Sequence, residues 1–423
     1  MPTAFGLDSS TSLQQAGFPA LLAHLRGLRA MQAVIEHGTT VAAAGAVHVS
    51  QPAVTRAIGK LEVACECALF VRTTRGMRPT PHGAQIAARA SVFFAHLRQG
   101  AHEALVTDAA RPSRAAGAER FAQAVSAGQI RALIAVAAWG SESQAALHLG
   151  ISQPAVHASL QELEQLLALT LFYKRSSGTR LTPPGEALLL RLKQAVAELR
   201  GMDADLAAWR GDARGQLVIG VLPLSVPIFL PQALQVFLAR HPGVQVRIID
   251  GTYENLVQHL LSADIDLIAG ALRAELPAAD MLQHALFDDD LVIVARRDHP
   301  CLQRQDLTLG DLLQWPWVTP LAHTPAERVL HRAFAAQGLQ PPARQLSANS
   351  PLMTLAFVMQ SGLLAIASRG QVALNDQGGQ LCVVPVALQG TSRRIGIATR
   401  AGSTPAAPVQ AFIDICCERC HGP

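Results

Sequence analysis

Apolar positions follow a helical rhythm through the first half of the chain. From Leu28 to Glu36, in LRAMQAVIEHG, they recur at three- and four-residue steps, and the run closes on Gly38. A short Ala-rich helix is predicted over Val41 to Val47, with Thr39 placed so that its hydroxyl can satisfy free amides of the first turn. The segment VSQPAVTRAI, from Val49, opens a third helix. Ser50 stands at its N-cap, and Pro52 lies just inside, where a missing amide costs little. Val54, Ile58 and Leu61 share one face. The Gly- and Arg-containing stretch 72–80 reads as a hairpin or wing, and Pro81 to Gly83 lead into a long helix.

The whole pattern then returns. ISQPAVHASL, from Ile151, repeats the third helix at an offset of 102 positions, and the match runs without a gap over roughly eighty residues. Ser141 takes the capping place ahead of Ser143 to Leu149. Ser152 and Pro154 open the third helix, and Val156, Leu160 and Leu163 form its apolar face. A wing over 174–182 and a helix from Pro183 complete the copy. Along that last helix Leu188, Leu192, Ala195, Leu199, Met202, Leu206 and Trp209 step 4-3-4-3-4-3, a heptad seam that calls for a partner helix. The first copy offers Ile86, Ala90, Phe93, Leu97, Gly100, Ala104 and Thr107, a seam that decays after two turns. After RGDARG (from Arg210) strands alternate with helices, beginning with QLVIGV, which predicts an α/β domain with largely parallel sheets. The expected units are 18–110, a linker over 111–129, 130–212, and 215–423.

Charge sharpens this division. Residues 1–111 carry a net +4, residues 112–214 a net +2 and residues 215–423 a net −2, so a polyanion partner is expected in the first half. No apolar run is long enough for a membrane span, and the opening residues lack the basic and apolar regions of a secretory signal. A cytoplasmic location with no membrane partner follows as the expectation. Cys417, Cys420 and His421 spell C-x-x-C-H, the haem-attachment string, but that chemistry needs export, and no second Cys/His pair stands at zinc-finger spacing. No cofactor or metal is expected. Asp288 to Asp290 read as a solvated turn. G-x-S-x-G, G-x-G-x-x-G, the phosphate-binding loop and H-E-x-x-H are all missing, so an enzyme is not expected.

Two short helices joined by a tight turn, the second opening S-Q-P-A-V, followed by a wing, make a winged helix-turn-helix, which lays its second helix in the major groove. AAGAVHVSQPAVTRAIGKLE and LFVRTTRGMRPTPHG resemble the DNA-binding domain of LysR-type transcriptional regulators, and the segment from Ile130 to Gly185 resembles it equally. Residues 215–420, including FLPQALQVFLARHPGVQVRIIDG, resemble that family's effector-binding domain. The resemblance implies two tandem all-helical winged helix-turn-helix units with long linker helices, then a two-lobed, periplasmic-binding-protein-like α/β effector domain. It also implies dimers paired through the linker helices, but the family normally carries one DNA-binding unit per chain, and this chain has two linker helices of its own to pair, so the oligomeric state stays open. Double-stranded DNA, a small-molecule effector (a sugar or a small carboxylate or aromatic acid) and RNA polymerase are the implied partners.

The DNA-binding residues expected in the first copy are Ser50, Gln51, Pro52, Thr55, Arg56 and Lys60 on the helix and Arg72, Arg75 and Arg78 on the wing. In the second copy they are Ser152, Gln153, His157, Lys174, Arg175 and Arg180. Arg56 can pair bidentately with a guanine edge, whereas its counterpart Ala158 cannot. Lys60 is replaced by Glu162, which repels phosphate unless it faces a cytosine amine. The first copy is therefore expected to dominate specificity. Effector-binding candidates at strand-to-helix junctions are Ser225, Thr319, His323, Thr324, Asn349 and Ser350. Two other readings compete: a solute-binding module that the first half merely oligomerises, and a DNA-architectural protein with no effector.

Overall fold

The computed structural model describes residues 17–73, 76–107, 114–175, 178–222, 226–276, 278–376 and 378–420. The first copy comprises α1 (Leu25–His37), α2 (Thr40–Ala46), α3 (Gln51–Cys65), a hairpin of β1 (Phe70–Thr73) and β2 (Gly76–Pro79), and the long α4 (Pro81–Val106). A further helix, α5 (Arg114–Ala124), stands where a linker was expected over 111–129; it buries Ala118, Phe121 and Ala122. The second copy repeats the order with α6 (Ala127–Trp139), α7 (Glu142–Leu149), α8 (Gln153–Leu167), β3 (Phe172–Arg175), β4 (Gly178–Leu181) and α9 (Pro183–Trp209). The units are thus not all-helical. Each carries a two-stranded antiparallel wing, because Gly76 and Gly178 let the strand return.

The seam read from the heptads is filled from within the chain. Leu188, Leu192, Ala195, Leu199, Met202 and Leu206 of α9 are buried against Ile86, Ala90, Phe93, Leu97 and Ala104 of α4, in one core shared by both copies. Each large apolar side chain buried this way contributes about 1.5–3 kcal/mol. The helices run antiparallel, since His82 at the start of α4 stacks on Trp209 at the end of α9, with ring centroids 4.3 Å apart. The expected pairing of two chains through these helices meets a surface that is already occupied.

Contacts across the seam are reciprocal at the offset of the repeat. Arg89 Nε bonds Asp205 at 2.7 Å, and its counterpart Arg191 bonds Glu103, the counterpart of Asp205, also at 2.7 Å. Each arginine also crosses the partner helix at a glycine, although the two glycines are one position out of register with the repeat: a Cβ on Gly201 would lie 2.7 Å from Arg89, and one on Gly100 would lie 2.8 Å from Arg191. Arg29 donates to the carbonyls of Ala122 and Val125, while its counterpart Arg131 lies over the Phe18 ring. The two copies are therefore related by an approximate two-fold axis within one chain.

The last domain contains β5 (Gly215–Val221), α10 (Val226–Arg240), β6 (Val244–Asp250), α11 (Tyr253–Leu261), β7 (Leu267–Ala271), β8 (Met281–Arg296) and β9 (Trp317–Pro320). It continues with α12 (Pro325–Ala335), β10 (Leu346–Ala348), α13 (Pro351–Ser361), β11 (Leu364–Ser368), α14 (Arg369–Asn375), β12 (Leu381–Val383), β13 (Ser392–Arg400) and α15 (Ala407–Cys420). Strands β5, β6 and β7 are parallel, as are β9, β10 and β11. The sheet as a whole is mixed rather than largely parallel, because β8 and β13 run against their neighbours. Residues 281–290 of β8 pair with β13 and residues 291–294 with β11, so one strand threads two lobes, each with its own cores. Asp288 to Asp290 lie inside this strand and not in a solvated turn. Asp289 is buried, bonded to the Arg393 guanidinium and 3.0 Å from Ser368 Oγ. Cys417 belongs to α15, while His421 lies outside the described residues, as does the Cys420 side chain.

Helix α9 carries the last domain. Lys193 Nζ bonds both Asp264 oxygens at 2.9 Å, Gln194 donates to Leu261 O, and Arg200 donates to Ala263 O. Arg89 reaches past Asp205 to Glu198 and to the carbonyls of Thr404 and Pro405, at 2.8 and 2.9 Å. Replacing Arg89 with Ala strips the buried Glu198 of its counter-charge and is expected to cost about 3–5 kcal/mol. Arg98→Ala, at the exposed pair with Glu119, should stay within about 0.5 kcal/mol, with urea titration of both variants as the measurement. Burial alone would raise the Asp264 carboxyl, but His259, Lys193 and Ser262 pull it down to about 2. A carboxyl depressed in the folded state stabilises above its unfolded value and loses that stability as pH falls through 4 toward 2. About 2 kcal/mol should therefore vanish by about pH 2, roughly half of it by pH 3, and this pH dependence should be missing from an Asp264→Asn variant, as read by melting at pH 7 and pH 3.

Candidate functional site

The candidate DNA-reading surface is built by fixing a helix and a wing to one frame. Thr39 caps α2 by accepting the Ala42 amide, and Ser141 caps α7 by accepting that of Gln144. Ser152 likewise accepts the Ala155 amide, at 3.4 Å, whereas Ser50 holds the same extended backbone with no side-chain bond. Gln51 donates to Thr40 Oγ1, and Gln153 accepts from Ser143, so both glutamines are tied to the preceding helix. The wing hangs on the far end of the same helix. Glu62 Oε1 takes the amides of Leu69 and Phe70 at 2.9 and 3.3 Å, and Glu164 Oε1 takes those of Leu171 and Phe172 at 2.7 and 3.3 Å. The Gly38 carbonyl accepts the Met77 amide and that of Gly140 the Thr179 amide, which ties each wing back to its first turn. The Leu-Glu pairs were visible as repeat markers, but a carboxylate accepting amides seven and eight residues on leaves no periodic signal.

On this frame the first copy presents Ser50, Gln51, Pro52, Thr55, Arg56 and Lys60 exposed along α3, with Arg72 and Arg78 exposed on its wing. Arg75 lies outside the described residues. Arg56 and Lys60 are bordered by His24, Gly59 and Val63 in an open groove and make no hydrogen bond or ion pair among the described residues, so their donors face water.

The second copy presents Ser152, Gln153 and Arg180, also exposed, but its reading helix is partly spoken for. His157 Nδ1 lies 3.1 Å from Glu142 Oε2, and Glu162 accepts from Gln129 at 3.1 Å. Lys174 and Arg175 fall on β3, and their side chains lie outside the described residues.

Three of the effector candidates come together. Thr319, Thr324 and Asn349 line a narrow cavity of about 80 Å³ at the ends of β9, β10 and β11. The other walls include Thr354 and Gln371, two residues that sequence reasoning missed. Thr319 is buried and bonds Leu346 O and Ser347 Oγ, and Gln371 is buried with its Oε1 unpaired. Thr324 and Ser350 cap α12 and α13, as their positions suggested, and Ser350 does not border the cavity. His323 sits exposed in the loop with φ of 66° and does not border it either, while Ser225 lies outside the described residues.

A larger cleft, of about 410 Å³, opens between α9 and the first lobe. Its acids are already engaged: Glu198 by Arg89 and Ser403, Asp264 by Lys193, and Asp203 by the Ala20 amide. The smaller cavity, at strand ends and bordered by the unpaired amide oxygen of Gln371, is the better effector candidate despite its size.

The family model described as LysR substrate binding domain matches residues 210–421. The one described as bacterial regulatory helix-turn-helix protein, lysR family, matches twice, over 25–84 and 127–186. The chain belongs to the LysR family. It is a DNA-binding transcriptional regulator and not an enzyme. A relative in Pseudomonas putida, the HTH-type transcriptional regulator GalR, is 35% identical over 388 residues, covering 91% of this chain and 95% of that protein. An alignment of that length passes through both copies. The HTH-type transcriptional regulator PcaQ of Agrobacterium fabrum is 27% identical over 67% of this chain and 91% of its own. The structure of a full-length OxyR variant from Pseudomonas aeruginosa matches with a TM-score of 0.52 and 20% identity, covering 69% of this chain and 97% of that one. The LysR fold is thus nearly complete in two-thirds of the chain, and the remainder is about the size of one more helix-turn-helix unit with its helix. No single helix among the described residues is long and apolar enough to cross a membrane.

Proposed function

We propose that the chain divides into two winged helix-turn-helix units, 18–110 and 130–212, joined through 111–129, and a two-lobed, periplasmic-binding-protein-like effector domain over 215–423. Both units lie on DNA in the cytoplasm, and the first supplies most of the sequence reading. The observation that carries this is the contrast at equivalent positions: Arg56 and Lys60 are exposed and unengaged, while the second copy has Ala158 and Glu162. Arg72 and Arg78, with Arg180 and the basic residues of β3, hold register on phosphates. The solute-binding and purely architectural readings are disfavoured by the two matches to the helix-turn-helix family and by the cavity at the strand ends.

The effector is a small polar molecule held by Thr319, Asn349 and Gln371 at the edge of the second lobe, against the N-terminal turns of α12 and α13. Contacts with RNA polymerase and any association of chains use surfaces other than the helix seam, which is buried.

Fluorescence anisotropy on duplexes selected by the full chain tests the DNA reading. Arg56→Ala should lose about 1–3 kcal/mol of discrimination at one base-pair position, and Gln153→Ala clearly less. Equal loss from both would overturn the primacy of the first unit. For the effector, a thermal-shift screen of sugars and small carboxylates should yield a binder whose affinity falls at least about 10-fold in Asn349→Ala or Gln371→Leu, the loss of about one buried hydrogen bond. His323→Ala should leave it unchanged. A binder indifferent to both cavity substitutions would place the site elsewhere.

A further inference from the structure

Within one chain the two long helices form a closed, antiparallel, two-fold pair. We propose that a single chain is the complete DNA-reading unit, and that its target is an asymmetric two-part site in duplex DNA, with each half read by a different helix. The proposal rests on the reading of both copies as DNA-binding units.

Three observations support it. First, the pairing is reciprocal in the manner of an isologous interface, where residue i meets j and j meets i. Arg89–Asp205 mirrors Arg191–Glu103, and Arg29 and Arg131 each reach the segment ahead of the other copy, although by different contacts, two carbonyls in one case and the Phe18 ring in the other. The apolar seam is buried from Ile86 to Ala104 and from Leu188 to Leu206, so neither helix has a stripe left for a second copy.

Second, the spacing suits DNA. The helices have 26 and 27 residues and overlap end to end, with Pro81 and Pro183 at opposite ends. At 1.5 Å per residue the two starts stand about 40 Å apart. Paired reading helices bind half-sites one helical turn of about 34–36 Å apart, or a multiple of it. Each wing and reading helix sits immediately before one of these starts.

Third, the frame is symmetric but the reading faces are not. A symmetric pair of identical helices selects an inverted repeat. Here Thr55, Arg56 and Lys60 on one side face His157, Ala158 and Glu162 on the other, and Thr40 is replaced by Glu142. The Glu142 carboxylate takes the Nδ1 side of His157, leaving Nε2 as the ring's remaining polar atom. The first helix offers a guanidinium suited to guanine, and the second offers an amide and a single imidazole nitrogen. The two halves of the target must then differ in sequence.

The test uses the full-length chain and a random-sequence duplex library of about 40 base pairs. Selected duplexes should share two unlike half-sites, and mass photometry should count one chain per two-part site. Inserting about five base pairs, half a helical turn, between the halves should weaken binding at least about 10-fold. The triple substitution His157→Thr, Ala158→Arg and Glu162→Lys makes the two helices alike at these positions. It should move preference at least about 10-fold toward an inverted repeat of the first half-site. Ala158→Arg alone, at an exposed position, should move it the same way by a smaller factor and guards against misfolding of the triple variant. Two chains on one two-part site, selection of an inverted repeat by the unaltered protein, or unchanged preference in both variants would each overturn the proposal. Two chains per site or an inverted repeat would leave the DNA-binding reading intact, whereas failure to bind any duplex would overturn both.

Discussion

The guanidinium of Arg89 joins three parts of the chain at one buried point. It leaves α4, crosses α9 over Gly201, bonds Glu198 and Asp205 there, and ends on the carbonyls of Thr404 and Pro405 in the effector domain. Such a charge is tolerable only because four acceptors replace its water. Ser403 donates to Glu198, and Asp205 accepts the Ala407 amide, so the acids are shared between helix and loop as well. Any rotation of the effector domain on the helix pair has to break these bonds or carry the helices with it. That gives a ligand in the effector domain a physical route to the DNA-reading end, through bonds and not through distance alone.

The duplication has kept its frame and relaxed its surface. Buried or backbone-facing positions survive in both copies: Glu62 and Glu164 holding the wings, Thr80 and Thr182 capping the long helices, Arg89 and Arg191 crossing on glycines. Gly83 and Gly185 survive because a Cβ there would lie 2.0 and 2.3 Å from the carbonyls of Leu69 and Leu171. Exposed positions answer to no such constraint, so Arg56 has its counterpart in Ala158 and Lys60 in Glu162. Packing keeps what the pair needs to stand, and solvent-facing side chains are free to read something new.

Much of this is legible in the sequence. Periodicity placed the first and third helices of each unit, because one buried face imposes a repeat of 3.6 residues, and caps and Ala-rich composition placed the second, whereas the short turn of helix over Ala20–His24 left no such signal. The heptad spacing announced that the long helices needed partners. The helix before α6 was missed, since RPSRAAGAER is small and basic and its buried residues, Phe121 among them, begin only towards its end and beyond. The burial of Asp289 was missed as well, because its partners Arg393 and Ser368 lie 104 and 79 positions away. Of the effector candidates, Thr319, Thr324 and Asn349 converge, while Ser350 and His323 do not border the same cavity. A residue before a helix is visible in a sequence, but the direction in which its side chain points is not.

The sequence by itself determined the elements, the duplication and the loss of arginine from the second reading helix, since each of these is local or repeats at a constant offset. Only the tertiary structure decided which helix the seam belongs to. A heptad stripe states that apolar area must be covered but carries no label for its partner, and a second chain would satisfy it as well as a second copy. The choice fell to the neighbouring helix of the same chain because the rest of the interface is complementary there: arginines that cross at glycines, acids at the equivalent positions, and an effector-domain loop that closes over the joint.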